Sequence, residues 1–124
     1  MTSSSLRVQV VIDLLKKHEV SNIVFSPGSR NAPLVIGFNG DDYFKSKIIV
    51  DERCAAFFAL GIAQQIQKPV VICSTSGSAV LNYAPAIVEA YYQKIPLLVI
   101  TADRPPEWVN QGEGQSMKQY KVYE

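Results

Sequence analysis

Three observations predict an α/β fold for this chain, a mostly parallel open sheet with helices on both faces. First, four short β-branched or apolar runs, 22–25, 47–50, 70–73 and 97–100, alternate with helix-length segments. That alternation implies right-handed βαβ crossovers. Second, runs such as Val70-Val-Ile-Cys73 are continuously apolar, as strands covered on both faces are. Third, each run ends in small or charged residues: Ser26-Pro-Gly-Ser-Arg30, Asp51-Glu-Arg53, Ser74-Thr-Ser-Gly-Ser78 and Thr101-Ala-Asp-Arg-Pro-Pro-Glu107. In a parallel sheet these four clusters share one edge, outside the strand carboxyl ends, where open α/β sheets bind ligands.

The first element is a helix over Leu6 to His18. Ser3, Ser4 and Ser5 offer N-cap hydroxyls, and Leu6, Val10, Val11, Leu14 and Leu15 recur at spacings that mark one apolar face. His18, the only histidine, ends this helix far from the ligand edge and is read as a helix-terminal residue. The first strand, Asn22–Phe25, follows. Pro33 suits the first turn of a short second helix, which Asn39-Gly-Asp-Asp42 ends as a turn. Lys47–Val50 is the second strand. The third helix, about Arg53 to Gln67, places Ala56, Leu60 and Ala63 on one face. Phe57, Phe58 and Ile62 widen that stripe and predict a heavily buried helix. Val70–Cys73 is the third strand. The fourth helix, about Ser78 to Lys94, contains Pro85, which predicts a kink or a late start. Leu97–Ile100 is the fourth strand. Arg104 to Glu124, with Pro105-Pro106 and no clear period, reads as a loop followed by an unfinished helix.

A chain of 124 residues buries one core. Hydrophobic content of 48% and charged content of 19% are those of an ordinary globular domain. A net charge of +1, without a basic block, argues against a nucleic-acid partner. No window approaches the roughly 20 apolar residues of a membrane span. Met1-Thr-Ser-Ser-Ser5 lacks the regions of a signal peptide, so a cytoplasmic location is expected. Cys54 and Cys73 match neither a metal spacing nor a redox motif, and both are read as buried, reduced core thiols. An open four-stranded sheet leaves an edge that proteins normally cover or pair. Residues 1–124 are therefore expected to be a piece of a longer protein.

Each edge cluster admits a chemical and a plain reading. In Ser26-Pro-Gly-Ser-Arg30, Gly28 permits close backbone approach, Ser29 and the helix-start amides suit an anion, and Arg30 can clamp a carboxylate. The same residues also suit an ordinary βα turn. Asp51 and Glu52 both favour a helix N-terminus. Glu52 is followed by Cys54-Ala-Ala-Phe-Phe58, and a carboxyl bordered by apolar groups loses hydration and becomes fit for proton transfer. Ser74-Thr-Ser-Gly-Ser-Ala79 can cradle a planar ring or simply cap a helix; it matches neither common nucleotide fingerprint. Asn82 lies one turn on and can face the same cavity, whereas Tyr83 reads as core. Two prolines stiffen the exit from the fourth strand and fix Asp103 and Arg104, which either pair with each other or present Arg104 to a carboxylate. Gln111-Gly-Glu-Gly-Gln115 reads as a mobile loop able to fold over a substrate.

Ser26-Pro-Gly-Ser-Arg30, Asp51-Glu-Arg53, Thr75-Ser-Gly-Ser-Ala79, Asn82-x-x-Pro85-Ala-x-x-Glu89-Ala90 and Thr101-Ala-Asp-Arg-Pro-Pro-Glu107 occur in this order over nearly the whole chain. Together they closely resemble the N-terminal, pyrimidine-binding domain of the SEPHCHC synthases, the thiamine diphosphate enzymes of menaquinone biosynthesis. The resemblance implies a truncated thiamine diphosphate-binding fold. It implies a transferase that decarboxylates 2-oxoglutarate and adds the succinyl unit to isochorismate. Glu52 matches the cofactor-activating glutamate. Ser76 and Gly77, with Asn82, match the cofactor-binding surface. Ser29, Arg30, Arg104 and Gln115 match the substrate pocket. The family also uses Mg2+, but this chain holds no Gly-Asp-Gly with a downstream Asn, so the metal and diphosphate ligands are expected elsewhere. A homodimer or homotetramer is implied, with active sites between subunits, and this stretch alone is expected to be inactive. Another thiamine diphosphate decarboxylase or synthase, and a non-catalytic α/β nucleotide-binding module, are the competing readings.

Overall fold

The four apolar runs pair side by side in a computed structural model that describes residues 5–124. The elements are α1 (Leu6–Lys17), β1 (Asn22–Ser26), α2 (Ala32–Asn39), β2 (Lys45–Ile48), α3 (Glu52–Ile66), β3 (Val70–Ser74), α4 (Ser78–Asn82), α5 (Ala84–Gln93) and β4 (Leu97–Thr101). Their sheet order is β2-β1-β3-β4, and every pairing is parallel. Ser26 is level with Ser74, and Ser74 with Thr101. The polar clusters after β1, β3 and β4 therefore emerge at one edge.

Alternate residues of β1 supply two cores. Ile23 and Phe25 pack with Val8, Ile12 and Leu15 of α1 and Phe38 of α2, together with Val71 and Cys73. Val24 packs on the opposite face with Ala55, Ala56, Ala59 and Ala63 of α3, with Tyr83, and with Val70 and Ile72. The four alanines of α3 are fully buried. With only a methyl group at each, the helix axis can approach the sheet closely, which carries the head of α3 to the polar edge.

Several expectations are corrected by helix phase and edge position. Ser3 and Ser4 lie outside the described residues, and Ser5 occupies the N-cap place of α1. The buried face of α1 is Val8, Ile12 and Leu15, whereas Leu6, Val10 and Leu14 are exposed. Both sets have helical spacing, and only the docking direction separates them. On α3, Phe57 and Phe58 are exposed, and so is Cys54. They lie opposite the alanine face, so only Cys73 is a buried thiol. Strand β2 is shifted two residues toward the N-terminus, to Lys45–Ile48, leaving Ile49 and Val50 outside it; Phe44, just before it, packs edge-on against Phe38 at 5.1 Å. The outer strands β2 and β4 are not covered on both faces. The helix expected from Ser78 is split at Tyr83, and Pro85 stands in the first turn of α5, as a late start requires. No regular helix follows Trp108. Positive φ at Asn110, Gly112, Gln115 and Lys121 interrupts it, leaving one 3-10 turn over Pro106–Trp108.

Phe38 is fully buried between Phe25 and Phe44. Phe38→Ala is expected to cost about 3–5 kcal/mol through lost burial and the cavity left behind, read as a lower denaturant midpoint at unchanged slope.

Candidate functional site

The turn after β1 is organised by a buried side chain. Asn31 is fully buried; its Nδ2 donates to the Ser26 carbonyl at 3.0 Å, and its Oδ1 accepts the Gly28 N–H at 2.8 Å. This carboxamide closes the turn from inside and leaves Ser29 and Arg30 on its outer side. Gly28 is obligatory there, because a Cβ would lie 2.5 Å from Thr75 Cβ. Asn31 also approaches Cys73 Sγ at 3.9 Å. Burial pushes the Cys73 thiol up to about 12 despite that contact, so it stays protonated at neutral pH.

Asp51 and Glu52 divide the labour at the head of α3. Asp51 is the N-cap, its Oδ1 accepting the Cys54 N–H at 2.8 Å. That bond holds its carboxyl below the usual range, with Arg53 contributing. Glu52 is half-buried, and Asn82 Nδ2 donates to its Oε2 at 3.3 Å. The apolar border expected from Cys54, Phe57 and Phe58 does not surround it, since all three are exposed. The next residue after Asn82, Tyr83, is buried and its hydroxyl lies 3.4 Å from Ser26 Oγ. Burial raises the Tyr83 phenol, and the neighbouring Glu52 carboxylate adds to that rise. The Glu52–Asn82 pair is thus joined through Tyr83 to the end of β1.

The tail after β4 folds back over this edge. Ser76 Oγ donates to the Gln115 carbonyl at 2.8 Å, and Arg30 Nη1 lies 3.5 Å from Gln115 Oε1. Gly77 has φ +78, and a Cβ there would meet the Gln115 backbone at 2.7 Å, so only glycine fits. Gln119 joins the Gly77 N–H to the Ala102 carbonyl. Arg104 is nearly buried, its side chain 7% exposed. Its guanidinium pairs with Glu113 and donates to the Gly114 carbonyl at 2.7 Å, while its Nε is buried without a partner. Asp103 does not pair with that guanidinium but accepts the Arg104 backbone N–H at 2.7 Å. A cavity of about 390 Å³ adjoins Arg104, lined also by Asn110, Lys118, Gln119 and Tyr120.

The edge therefore gathers Arg30, Ser76, Gly77 and Gln115 in one contact set and Glu52 with Asn82 in another; Arg104 is held by the same folded-back tail, and Ser29 is exposed on its turn. Asn31, Glu113 and Gln119 were not expected from the sequence. Asn31 had a local signal, since an Asn three residues after a turn glycine can close an Asx-type bond. Glu113 and Gln119 had none. Among the described residues, no three His, Cys, Asp or Glu side chains converge as a metal site, and no helix is long and apolar enough to cross a membrane.

The thiamine pyrophosphate enzyme family, N-terminal TPP binding domain, matches residues 7–122. The chain is similar to the 2-succinyl-5-enolpyruvyl-6-hydroxy-3-cyclohexene-1-carboxylate (SEPHCHC) synthase of Cytophaga hutchinsonii, 55% identical over 90% of this chain and 20% of the relative. It is 56% identical to the synthase of Flavobacterium johnsoniae, over 93% of this chain and 21% of that protein. With the Bacteroides fragilis synthase it shares 47% identity over 99% of this chain and 22% of the relative. The chain thus spans about a fifth of the length of these relatives. The solved structure of benzoylformate decarboxylase from Polynucleobacter necessarius superposes with a TM-score of 0.80 at 22% identity, covering 97% of this chain and 22% of that one. That likeness shows the fold.

Two measurements check this geometry. Asn31→Ala strands the Ser26 carbonyl and the Gly28 N–H and is expected to cost about 2 kcal/mol or more, with faster amide exchange at Gly28. Asp51 has its folded pKa lowered, so its contribution is complete above the ordinary carboxylate range and is lost as pH falls through and below it. Asp51→Asn should flatten the acid limb of a stability–pH profile and leave its neutral-to-alkaline shape unchanged.

Proposed function

Because this chain belongs to the thiamine pyrophosphate enzyme family through its N-terminal TPP binding domain, we propose that it forms the pyrimidine-binding part of a SEPHCHC synthase, a transferase of menaquinone biosynthesis. The reaction proposed is decarboxylation of 2-oxoglutarate and addition of the succinyl unit to isochorismate. The observation that carries this reading is the placement of Glu52. A half-buried carboxyl at the head of α3, with one oxygen held by Asn82, stands at the same sheet edge as Arg30, Ser76 and Gln115.

The donor set fits an aminopyrimidine. Asn82 engages Oε2 of Glu52, and the other carboxyl oxygen is left to share a proton with a ring nitrogen. Thiamine diphosphate supplies the electron sink that decarboxylation of a 2-oxoacid requires. Glu52 holds and moves the proton at the pyrimidine N1′ position. Ser76 and Gly77 are assigned to the wall beside the ring; both are small, and in this chain the backbone of Gln115 lies over them. Ser29, Arg30, Arg104 and Gln115 hold the substrates, and the two guanidinium groups suit the carboxylates of isochorismate.

Mg2+ and the diphosphate are held by residues other than those described. Glu52 remains half-exposed in this chain, and proton sharing with a ring nitrogen improves when water is excluded. A second subunit covering this corner, in a homodimer or homotetramer, provides that exclusion. The enzyme acts in the cytoplasm.

In the full natural polypeptide, Glu52→Gln should keep the acceptor bond geometry but lose the exchangeable proton. Consumption of isochorismate with 2-oxoglutarate is expected to fall by roughly 10²–10⁴-fold, with circular dichroism unchanged. Retention of most of the activity would remove Glu52 from the role assigned to it.

A further inference from the structure

Gln119 lies in a tail without regular secondary structure, yet its carboxamide spans two strand ends. Its Oε1 accepts the Gly77 N–H at 2.9 Å, and its Nε2 donates to the Ala102 carbonyl at 3.0 Å. One partner follows β3 and the other follows β4. Four residues earlier, the Gln115 carbonyl accepts from Ser76 Oγ at 2.8 Å, and the Gln115 backbone fills the space a Cβ on Gly77 would take. Residues 115–119 are therefore tied at both ends to the same dipeptide, Ser76-Gly77. Gln115 in turn sets its Oε1 3.5 Å from Arg30.

Resting on the carboligase reading above, we propose that Gln119 is a positioning residue for the carboxylate-bearing acceptor: it clasps the β3 loop to the end of β4 and so fixes Gln115 and Arg30 in register. The chemistry asks for this side chain. A primary amide presents an acceptor and a donor on one carbon; a carboxylate offers acceptors only, and an ammonium donors only. Asparagine carries the same amide on a shorter stem. Gln119 itself touches no reacting atom in this scheme. Its loss loosens the pocket and weakens acceptor binding, leaving the proton chemistry at Glu52 in place.

The test is Gln119→Met in the full natural polypeptide loaded with thiamine diphosphate, a change that keeps side-chain length and removes both bonds. About tenfold faster amide exchange is expected at Gly77 and across residues 111–116. The KM for isochorismate should rise about tenfold, with kcat and the KM for 2-oxoglutarate within about twofold. Gln119→Glu, which can still accept from Gly77 but repels the Ala102 carbonyl, should fall between wild type and Gln119→Met in both readouts, and it serves as the folded variant if methionine is not tolerated. Unchanged exchange, an unchanged acceptor KM, or a loss confined to kcat each overturns the proposal. If the wild-type protein itself does not consume isochorismate, the proposed function fails, and amide exchange at Gly77 alone then decides for or against the clasp.

Discussion

The flush parallel register of β1, β3 and β4 is the constraint on which the site depends. Ser26, Ser74 and Thr101 end their strands at the same height. Three polar loops must therefore leave the sheet side by side, and the tail after β4 can reach across all of them. A slip of one residue in any pair would turn every side chain of that strand to the wrong face. It would drive Ile23 and Phe25 into the space fitted to Val24 against the alanine face of α3, and bury polar loop residues. The two hydrophobic cores thus enforce the alignment of the polar edge, and the apolar interior and that edge form one structural problem.

Polar groups at this edge are satisfied by side chains as well as by the sheet. Asn31 serves the inside of the first turn, Asp51 the head of α3, and Gln119 the gap between two strand ends. Each is a local substitute for the ladder that stops where the strands end, as the need to pair buried backbone groups demands. The exceptions at this edge are Thr75 Oγ1, Arg104 Nε and, in the tail folded over it, Ser116 Oγ, each buried without a partner.

Much of this was legible in the sequence, and the remainder was illegible for identifiable reasons. Continuous apolar runs such as 70–73 revealed strands, and terminal clusters such as Ser26-Pro-Gly-Ser-Arg30 revealed the shared polar edge. Pro85 marked the break between two helices. The buried faces of α1 and α3 were less readable because both helices carry surplus apolar residues. Val8 and Val10 obey equally good spacings, and which one is buried depends on how the helix docks. The side chains of Gln119 and Glu113 were illegible for another reason. Gln119 meets Gly77 across 42 positions of chain, and nothing local to either residue announces the meeting. The unfinished helix expected after a loop within Arg104 to Glu124 failed because the left-handed residues there include Asn110, Gln115 and Lys121 as well as glycine.

The pairing of Arg104 with Glu113 has a consequence for how any anion would be bound there. The guanidinium is already charge-matched and almost out of water, so capture of an incoming carboxylate is an exchange of one ion pair for another. The apparent affinity measures the difference between two similar contacts. Added salt weakens both sides of such a swap in parallel, so discrimination falls to shape and to donors the resident glutamate leaves unmet, of which the Arg104 Nε is one.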